Sequence, residues 1–275
     1  MLMTYQLGQM GDSTMPRFSA NLGFLWTELP LLQRIDAAAV AGFQAVELHA
    51  PYDTDPLAVR ERCQTLGIKL LNINTLAGDI KRGECGLAAL PGRERDFQRL
   101  FDEALSWAQI AGARGIHAVA GIPNPDYISH ARATLIDNIR VAADKAEQHD
   151  MQVLLEPMNA LDRPGYIYQS ADQVAQLLLA IDRPNARMLL DLYHEARGGF
   201  DPMLALDRHL SSVGHIQIAS IPDRHEPDGG ELDYTLVFER LDKLGYKGWV
   251  GCEYRPRTTI DEGLGWMTAL GALST

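Results

Sequence analysis

Four polar residues stand directly after short apolar segments in the second half of the chain. Glu156, Asp191, Gln217 and Glu253 follow "VLL", "MLL", "GHI" and "GWVGC". Three carboxylates gathered in a partly desolvated site repel one another, so they either take up protons or bind a cation. All four residues offer oxygen ligands, which favours Mg²⁺ or Mn²⁺. Zinc is disfavoured because the set has no cysteine and no clear histidine ligand.

Short apolar segments alternate with longer amphipathic ones along the chain, and this alternation indicates how the four residues come together. Eight segments have the character of buried strands, each followed by turn-forming residues and then by apolar residues at helical spacing. Eight such units predict an α/β fold of one domain, the (β/α)8 TIM barrel, whose strands all end on one rim. The predicted strands span residues 17–22, 45–49, 69–74, 115–120, 153–157, 186–191, 213–218 and 248–253.

Length and composition agree with this fold and exclude some classes of function. A chain of 275 residues, 46% hydrophobic and 22% charged, is typical of a globular barrel. The formal net charge of -11 argues against nucleic acid as a partner, and no apolar run approaches the roughly 18 residues of a membrane span. Cys63, Cys85 and Cys252 form no CxxC pair, which fits a reducing cytoplasm.

The first 14 residues lie outside the alternating pattern. "MLMTYQLGQMGDST" has neither the basic start nor the apolar stretch of a signal peptide, and a second methionine, Met15, comes just before strand-like sequence. We therefore expect residues 1–14 to be a disordered N-terminal extension and residues 15–275 to be the barrel domain.

Two histidines lie near the predicted rim. His215 precedes Gln217 by two residues, so both side chains share one face of a strand. We expect His215 to be a core histidine or a donor one layer behind the oxygen ligands. His194 follows Asp191 by three residues and would sit above the rim, near a bound substrate.

Several segments of the chain resemble the hydroxypyruvate isomerase family of xylose-isomerase-like (β/α)8 barrels. They are "LLEPMN", "LLDLYH", "GHIQIA" with "RHEP" and "GELDY", and "GWVGCEYRP". The resemblance covers almost the whole chain. It implies a metal site made by Glu156, Asp191, Gln217 and Glu253. It also implies that Glu156 and Glu253 transfer protons, and that His194 and the loop of Arg224 approach the substrate.

The resemblance implies a metal-dependent isomerase that interconverts hydroxypyruvate and 2-hydroxy-3-oxopropanoate through an enediolate. Arg224 is expected to grip the substrate carboxylate with two parallel hydrogen bonds, and Arg255 is the second candidate. A 2-oxo-tetronate isomerase and a ketose 3-epimerase are alternatives in the same superfamily. Related 3-epimerases usually have a histidine where Gln217 stands, so the amide favours the hydroxypyruvate isomerase branch.

Two further classes are less favoured. A phosphodiesterase resembling endonuclease IV would need a basic cleft and several more histidines, and a non-catalytic sugar-acid binder would need no acid–base pair. No nucleotide cofactor is expected, since the chain has neither a GxGxxG after its first strand nor a P-loop. The expected ligands are a divalent metal and a small 2-oxo acid or sugar acid, with no nucleic acid and no membrane; a homo-oligomer is compatible with the sequence.

Overall fold

A barrel of parallel strands forms the centre of the molecule. The computed structural model describes residues 16–269, so the predicted N-terminal extension lies outside the described residues. Within that range, nine strands form one sheet in the order β3-β2-β1-β9-β8-β7-β6-β5-β4, and each neighbouring pair is parallel. The strands are β1 (Arg17–Asn21), β2 (Ala45–Glu47), β3 (Lys69–Leu70), β4 (Asn72–Asn74), β5 (Gly115–His117), β6 (Gln152–Leu155), β7 (Ala186–Asp191), β8 (Val213–Ile218) and β9 (Trp249–Cys252).

The two ends of this strand order, β3 and β4, are consecutive in the chain and are separated only by Leu71. The amide of Leu71 donates to the carbonyl of Val46 at 2.9 Å, and the amide of Leu48 donates to the carbonyl of Asn72 at 2.9 Å. Both short strands therefore pair with the β2 segment and act as one interrupted strand. The barrel has the eight strand positions that the sequence predicts, and the prediction of a single-domain (β/α)8 TIM barrel is confirmed.

Helices follow the strands and cover the outside of the barrel. Helix α2 shows why they begin and end where they do: the side chain of Asp55 accepts a hydrogen bond from the amide of Leu57, and Gly67 ends the helix in the left-handed conformation. No helix in this part of the chain is both long and apolar enough to span a lipid bilayer. The helices are α1 (Leu31–Val40), α2 (Pro56–Leu66), α3 (Glu94–Ala111), α4 (Ile128–Glu147), α5 (Ala171–Ile181), α6 (Leu192–Arg197), α7 (Pro202–His209), α8 (Tyr234–Lys243), α9 (Ile260–Gly263) and α10 (Gly265–Ala269).

The inside of the barrel is polar, although its wall is apolar. On β8, Ile216 and Ile218 pack in the hydrophobic layer under the helices, whereas His215 and Gln217 point inward. On β1, Phe18 and Ala20 likewise pack in the hydrophobic layer, whereas Ser19 and Asn21 point inward. Most TIM barrels fill this space with branched aliphatic side chains. Here the inward-facing polar residues are Ser19, Asn21, Glu47, Asn72, His117, His215 and Gln217.

Gly251 on β9 makes room for one of these polar side chains. A Cβ atom at this position would lie 2.0 Å from Oε1 of Glu47 and 2.9 Å from Nε2 of His215. Glu47 cannot shift easily because Ser19, His215 and Gln217 all hydrogen-bond to its carboxylate. The absence of a side chain at residue 251 is therefore a packing requirement of the polar interior.

Replacing Gly251 with Ala should destabilise the protein by overfilling this space. We expect the free energy of unfolding, measured by urea titration, to fall by about 1–3 kcal/mol. Gly265→Ala is the matched control, because a Cβ atom there meets no other atom within 4 Å. A loss for Gly251→Ala no larger than that of the control would show that the interior accommodates the extra methyl group.

Candidate active site

The four oxygen-bearing residues predicted from sequence lie together at the carboxyl end of the barrel. Glu156 follows β6, Asp191 ends β7, Gln217 lies in β8 and Glu253 follows β9. All are buried, with exposed fractions of 0–7%. Glu156, Gln217 and Glu253 line a cavity of about 580 Å³, and His194 and Arg224 line the same cavity. The structure thus brings all six predicted site residues together.

Asp191 has a structural contact and a site contact at the same time. Its Oδ1 accepts a hydrogen bond from the amide of Tyr193 at 2.9 Å, which caps helix α6. Its Oδ2 accepts a hydrogen bond from Nη2 of Arg224 at 3.1 Å and lies 3.8 Å from Nε2 of His194. Burial raises the pKa of Asp191 to about 7, against the opposing effect of the Arg224 guanidinium.

Arg224 brings a cation to the floor of the cavity. Its guanidinium lies 4.7 Å from the ring centres of both Phe24 and Tyr193, and Nη2 donates to Asp191 and, at 3.0 Å, to Oε1 of Glu253. The two aromatic rings and the two carboxylates fix the guanidinium plane. Its Nη1 makes no hydrogen bond to any residue in the described range.

Glu156 and Glu253 face the same cavity in different surroundings. Glu253 accepts hydrogen bonds from Arg224 and from Nδ2 of Asn21 at 3.1 Å, and Nε2 of His49 lies 3.6 Å from its carboxylate. Burial alone would raise the pKa of Glu253, but Arg224 and His49 outweigh it and hold the value at about 2. For Glu156, burial together with the charges of Glu253 and Asp191 raises the pKa well above its ordinary value.

His194 presents a hydrogen-bond donor to the cavity. The Nδ2 atom of Asn159 lies 2.7 Å from Nδ1 of His194, and the orientation of this amide is fixed because its Oδ1 accepts hydrogen bonds from the amides of Leu161 and Asp162. An amide nitrogen can only donate, so Nδ1 is the acceptor. Burial, assisted by Arg224, lowers the pKa of His194 to about 3, which keeps the ring neutral. The proton is therefore on Nε2, which lies 3.7 Å from Glu156.

Gln217 and His215 share one partner, which explains why one buried strand face carries both an imidazole and an amide. Nε2 of Gln217 donates to Oε2 of Glu47 at 2.7 Å, and Nε2 of His215 lies 3.1 Å from the same oxygen. Oε1 of Gln217 is buried and has no hydrogen-bond partner among the described residues. The structure therefore places His215 one layer behind the rim, in contact with Glu47 and not with Glu156, Asp191 or Glu253.

The site has the donor set of a divalent metal centre. One oxygen of Glu156, one of Asp191 and a ring nitrogen of His194 lie within 4.8 Å of one another. A buried amide oxygen without a partner is costly, and a cation would satisfy it. The oxygen atoms of Glu156, Asp191, Gln217 and Glu253 therefore fit a hard ion such as Mg²⁺ or Mn²⁺. His194 fits the ligand role less well, because its Nε2 carries the proton.

Sequence reasoning missed several residues of the site. The sequence pattern places Glu47 only in a strand, although Glu47 and His49 are polar residues near the end of the predicted strand "AVELH", much as Glu156 and Glu253 stand at the ends of theirs. The same pattern places His49, at the end of this segment, only in the strand. The aromatic rings around Arg224 left no comparable signal. The missed residues are Asn21, Phe24, Glu47, His49, His117, Asn159 and Tyr193.

The chain matches a known protein family over most of its length. The family model for the xylose isomerase-like TIM barrel matches residues 35–270. The chain belongs to this family. The resemblance found in the sequence is therefore confirmed.

Members of this xylose isomerase-like family resemble the chain over nearly its whole length. A 2-oxo-tetronate isomerase of Cupriavidus necator is 42% identical over 254 residues, which are 92% of this chain and 98% of that protein. A putative hydroxypyruvate isomerase of Xenopus laevis is 41% identical over 91% of this chain and 94% of its own. A crystal structure of an AP endonuclease, family 2, from Brucella melitensis matches with a TM-score of 0.90 at 40% identity, over 93% of this chain and 99% of that one. The two curated relatives are isomerases, and this member of the family is an isomerase.

Replacing Arg224 with Met should destabilise the metal-free protein, because Asp191 and Glu253 lose the cation that they share. Removing one partner of a buried ion pair costs about 3–5 kcal/mol. We expect a loss of that size in the free energy of unfolding, measured by urea titration at neutral pH with a chelator present.

Arg255→Met is the matched control, since Arg255 also lines the cavity but is exposed and forms no ion pair with a described residue. Its effect should stay within about 0.5 kcal/mol, as for most surface substitutions. Equal losses for the two variants would contradict a special electrostatic role for Arg224.

Proposed function

We propose that the protein isomerises a small 2-oxo acid by moving a proton between two adjacent carbon atoms. Hydroxypyruvate and its isomer 2-hydroxy-3-oxopropanoate are the three-carbon candidates, and a 2-oxo-tetronate is the four-carbon candidate. The second is kept because the relative from Cupriavidus necator is named for it. The observation that carries the proposal is the presence of two glutamates, Glu156 and Glu253, facing one cavity in unlike surroundings.

The two glutamates would divide the proton transfer between them. Glu253 is held by Arg224 and Asn21, which stabilise its carboxylate and direct it at a fixed point in the cavity. Glu156 accepts no hydrogen bond from the residues that the structure describes, and the histidines His117 and His194 lie 3.4 Å and 3.7 Å from its carboxylate. One carboxylate would remove the proton from the substrate and the other would deliver a proton to the neighbouring carbon. Two acidic groups with unlike environments are the usual arrangement for this task.

A divalent ion, Mg²⁺ or Mn²⁺, is part of the proposal. Glu156, Asp191, Gln217 and Glu253 would hold it, and the unpartnered amide oxygen of Gln217 supports this assignment. When bound, the ion would supply electrostatic stabilisation for the negative charge that develops during proton transfer.

The substrate carboxylate would be recognised by Arg224. Its Nη1 has no partner among the described residues, so it has a donor to offer while Nη2 remains bonded to Asp191 and Glu253. The neutral His194, which lines the same cavity, adds a second donor through Nε2. Arg255 at the cavity mouth remains the second candidate for the carboxylate. A cationic floor and a neutral donor suit a short polar acid.

A substrate panel tests the reaction class. The purified protein is stripped of metal and then supplied with Mn²⁺. It should convert hydroxypyruvate or a 2-oxo-tetronate at least ten times faster than a free ketose such as fructose. The reason is that fructose lacks the carboxylate contact, and a tenfold difference corresponds to about 1.4 kcal/mol. A duplex with an abasic site belongs in the panel because of the Brucella melitensis relative. Cleavage of that duplex without turnover of either acid would overturn the proposal.

Glu253→Gln and Glu156→Gln test the proton relay. An amide keeps an oxygen donor of similar size but cannot exchange a proton at neutral pH, so we expect kcat to fall by about 10²–10⁴-fold while Mn²⁺ still binds. Solvent deuterium incorporation into the substrate should fall with it. Asp191→Asn should act mainly through the metal and recover part of its activity with excess Mn²⁺.

Glu195→Gln is the control for these variants. Glu195 is also a buried glutamate, but it accepts a hydrogen bond from the amide of Ala171 and does not line the cavity. Its kcat should stay close to that of the unmodified protein. If Glu253→Gln keeps more than about a tenth of the original kcat, well short of the range for positioned acid–base catalysis, the two-glutamate relay is wrong.

A further inference from the structure

Glu47 is a buried carboxylate inside the barrel that the proposed reaction does not use. It ends β2, its exposed fraction is 2%, and it lines the same cavity as Glu156, Gln217 and Glu253. Three donors from two other strands meet it: Oγ of Ser19 at 2.9 Å, Nε2 of His215 at 3.1 Å and Nε2 of Gln217 at 2.7 Å. Both oxygens of the Glu47 carboxylate are therefore occupied by side chains of the barrel interior.

The bond from Gln217 to Glu47 decides which end of the Gln217 amide faces the cavity. The two ends of an amide are nearly equal in size, so packing alone hardly distinguishes them. An ionised carboxylate only accepts hydrogen bonds. The NH₂ group of Gln217 must therefore face Glu47, and its oxygen must face away, where it is buried and without a partner.

Glu47 itself is held so that it cannot turn away from this role. Ser19 and His215 bond to it from two strands, and Gly251 leaves the space that its Oε1 occupies. Both oxygens of Glu47 accept hydrogen bonds, Oε1 from Ser19 and Oε2 from Gln217. The group that fixes the amide is thus fixed from below.

We propose that Glu47 is a positioning residue that presents the amide oxygen of Gln217 to the divalent ion. This rests on the metal site proposed above. Without the carboxylate, the amide of Gln217 is free to rotate and turn its NH₂ group toward the ion. The positive end of the amide dipole would then face the cation, which weakens metal binding. Glu47→Gln removes the constraint because a glutamine at this position can accept from or donate to either end of the Gln217 amide.

A double-mutant cycle on Mn²⁺ binding tests this, with calorimetry on the metal-free protein as the readout. The four proteins are the unmodified chain, Glu47→Gln, Gln217→Leu and the double variant. We expect Glu47→Gln to weaken Mn²⁺ binding by about 10–100-fold, as changes behind a metal ligand commonly do. In the Gln217→Leu background the same change should have an effect of less than about threefold, because no amide is left to orient.

The cycle separates positioning from plain charge. If Glu47 acts only as a nearby negative charge, Glu47→Gln weakens binding equally in both backgrounds, and the proposal is overturned. If the unmodified chain binds no Mn²⁺, the metal site itself is wrong and the inference falls with it. If the unmodified chain binds Mn²⁺ but the effects of Glu47→Gln and Gln217→Leu are additive, the positioning role of Glu47 is refuted while the metal site stands.

Ser19→Ala keeps the test informative if Glu47→Gln does not fold. It removes one hydrogen bond to Glu47 while leaving the carboxylate and its charge in place. We expect Mn²⁺ affinity to fall by about 2–10-fold when Gln217 is present, which corresponds to the loss of one hydrogen bond. In the Gln217→Leu background we expect no change in Mn²⁺ affinity. An unchanged affinity with Gln217 present would contradict the proposal. Circular dichroism and the thermal midpoint of each metal-free variant confirm folding, and Glu195→Gln serves as the control for a buried glutamate elsewhere.

Discussion

The burial of like charges governs the carboxyl end of this barrel. Glu47, Glu156, Asp191 and Glu253 have exposed fractions of 0–7%, and a buried carboxylate is stable only with donors or a cation beside it. Each neighbouring group has a place in this balance. Arg224 donates hydrogen bonds to Asp191 and Glu253, and Ser19, His215 and Gln217 donate hydrogen bonds to Glu47. The polar interior of the barrel, unusual for this fold, follows from the need to supply these partners.

The balance is uneven, because the buried groups differ in the number of hydrogen-bond donors beside them. Glu47 and Glu253 accept several hydrogen bonds. Within residues 16–269, by contrast, Glu156 accepts none and lies near two neutral histidines, and the buried oxygen of Gln217 has no partner. Both of these groups line the cavity, and neither has a hydrogen-bond donor from the described residues. A divalent ion there would satisfy both and would lie next to the glutamates that are proposed to transfer protons. The same feature that makes the metal-free site costly makes it suitable for stabilising a developing anion.

The sequence predicts the barrel and the rim because both depend on local patterns. Glu156, Asp191 and Glu253 each end a run of apolar residues, and the parallel topology brings strand ends together wherever they lie in the chain. The role of Glu47 depends instead on partners 28, 168 and 170 residues away, across the barrel axis, which no local pattern reports. The position of Arg224 likewise depends on a loop whose backbone is left-handed at that residue and on two aromatic rings, Phe24 from the turn after β1 and Tyr193 from helix α6. The third predicted strand was located correctly, but its interruption at Leu71 carries no signal in residue type.

The partner below residue 217 also limits which side chains can serve as a ligand there. A carboxylate at this position would face Glu47 at the short distance that the Gln217 amide now occupies, 2.7 Å, and the two charges would repel each other. A side chain that both donates and accepts avoids this conflict, since it can donate to Glu47 and still offer a lone pair upward. Glutamine meets this requirement, and so would a neutral imidazole. Glu47 thus restricts residue 217 to side chains, such as an amide or a neutral imidazole, that can donate a hydrogen bond to its carboxylate and still accept one.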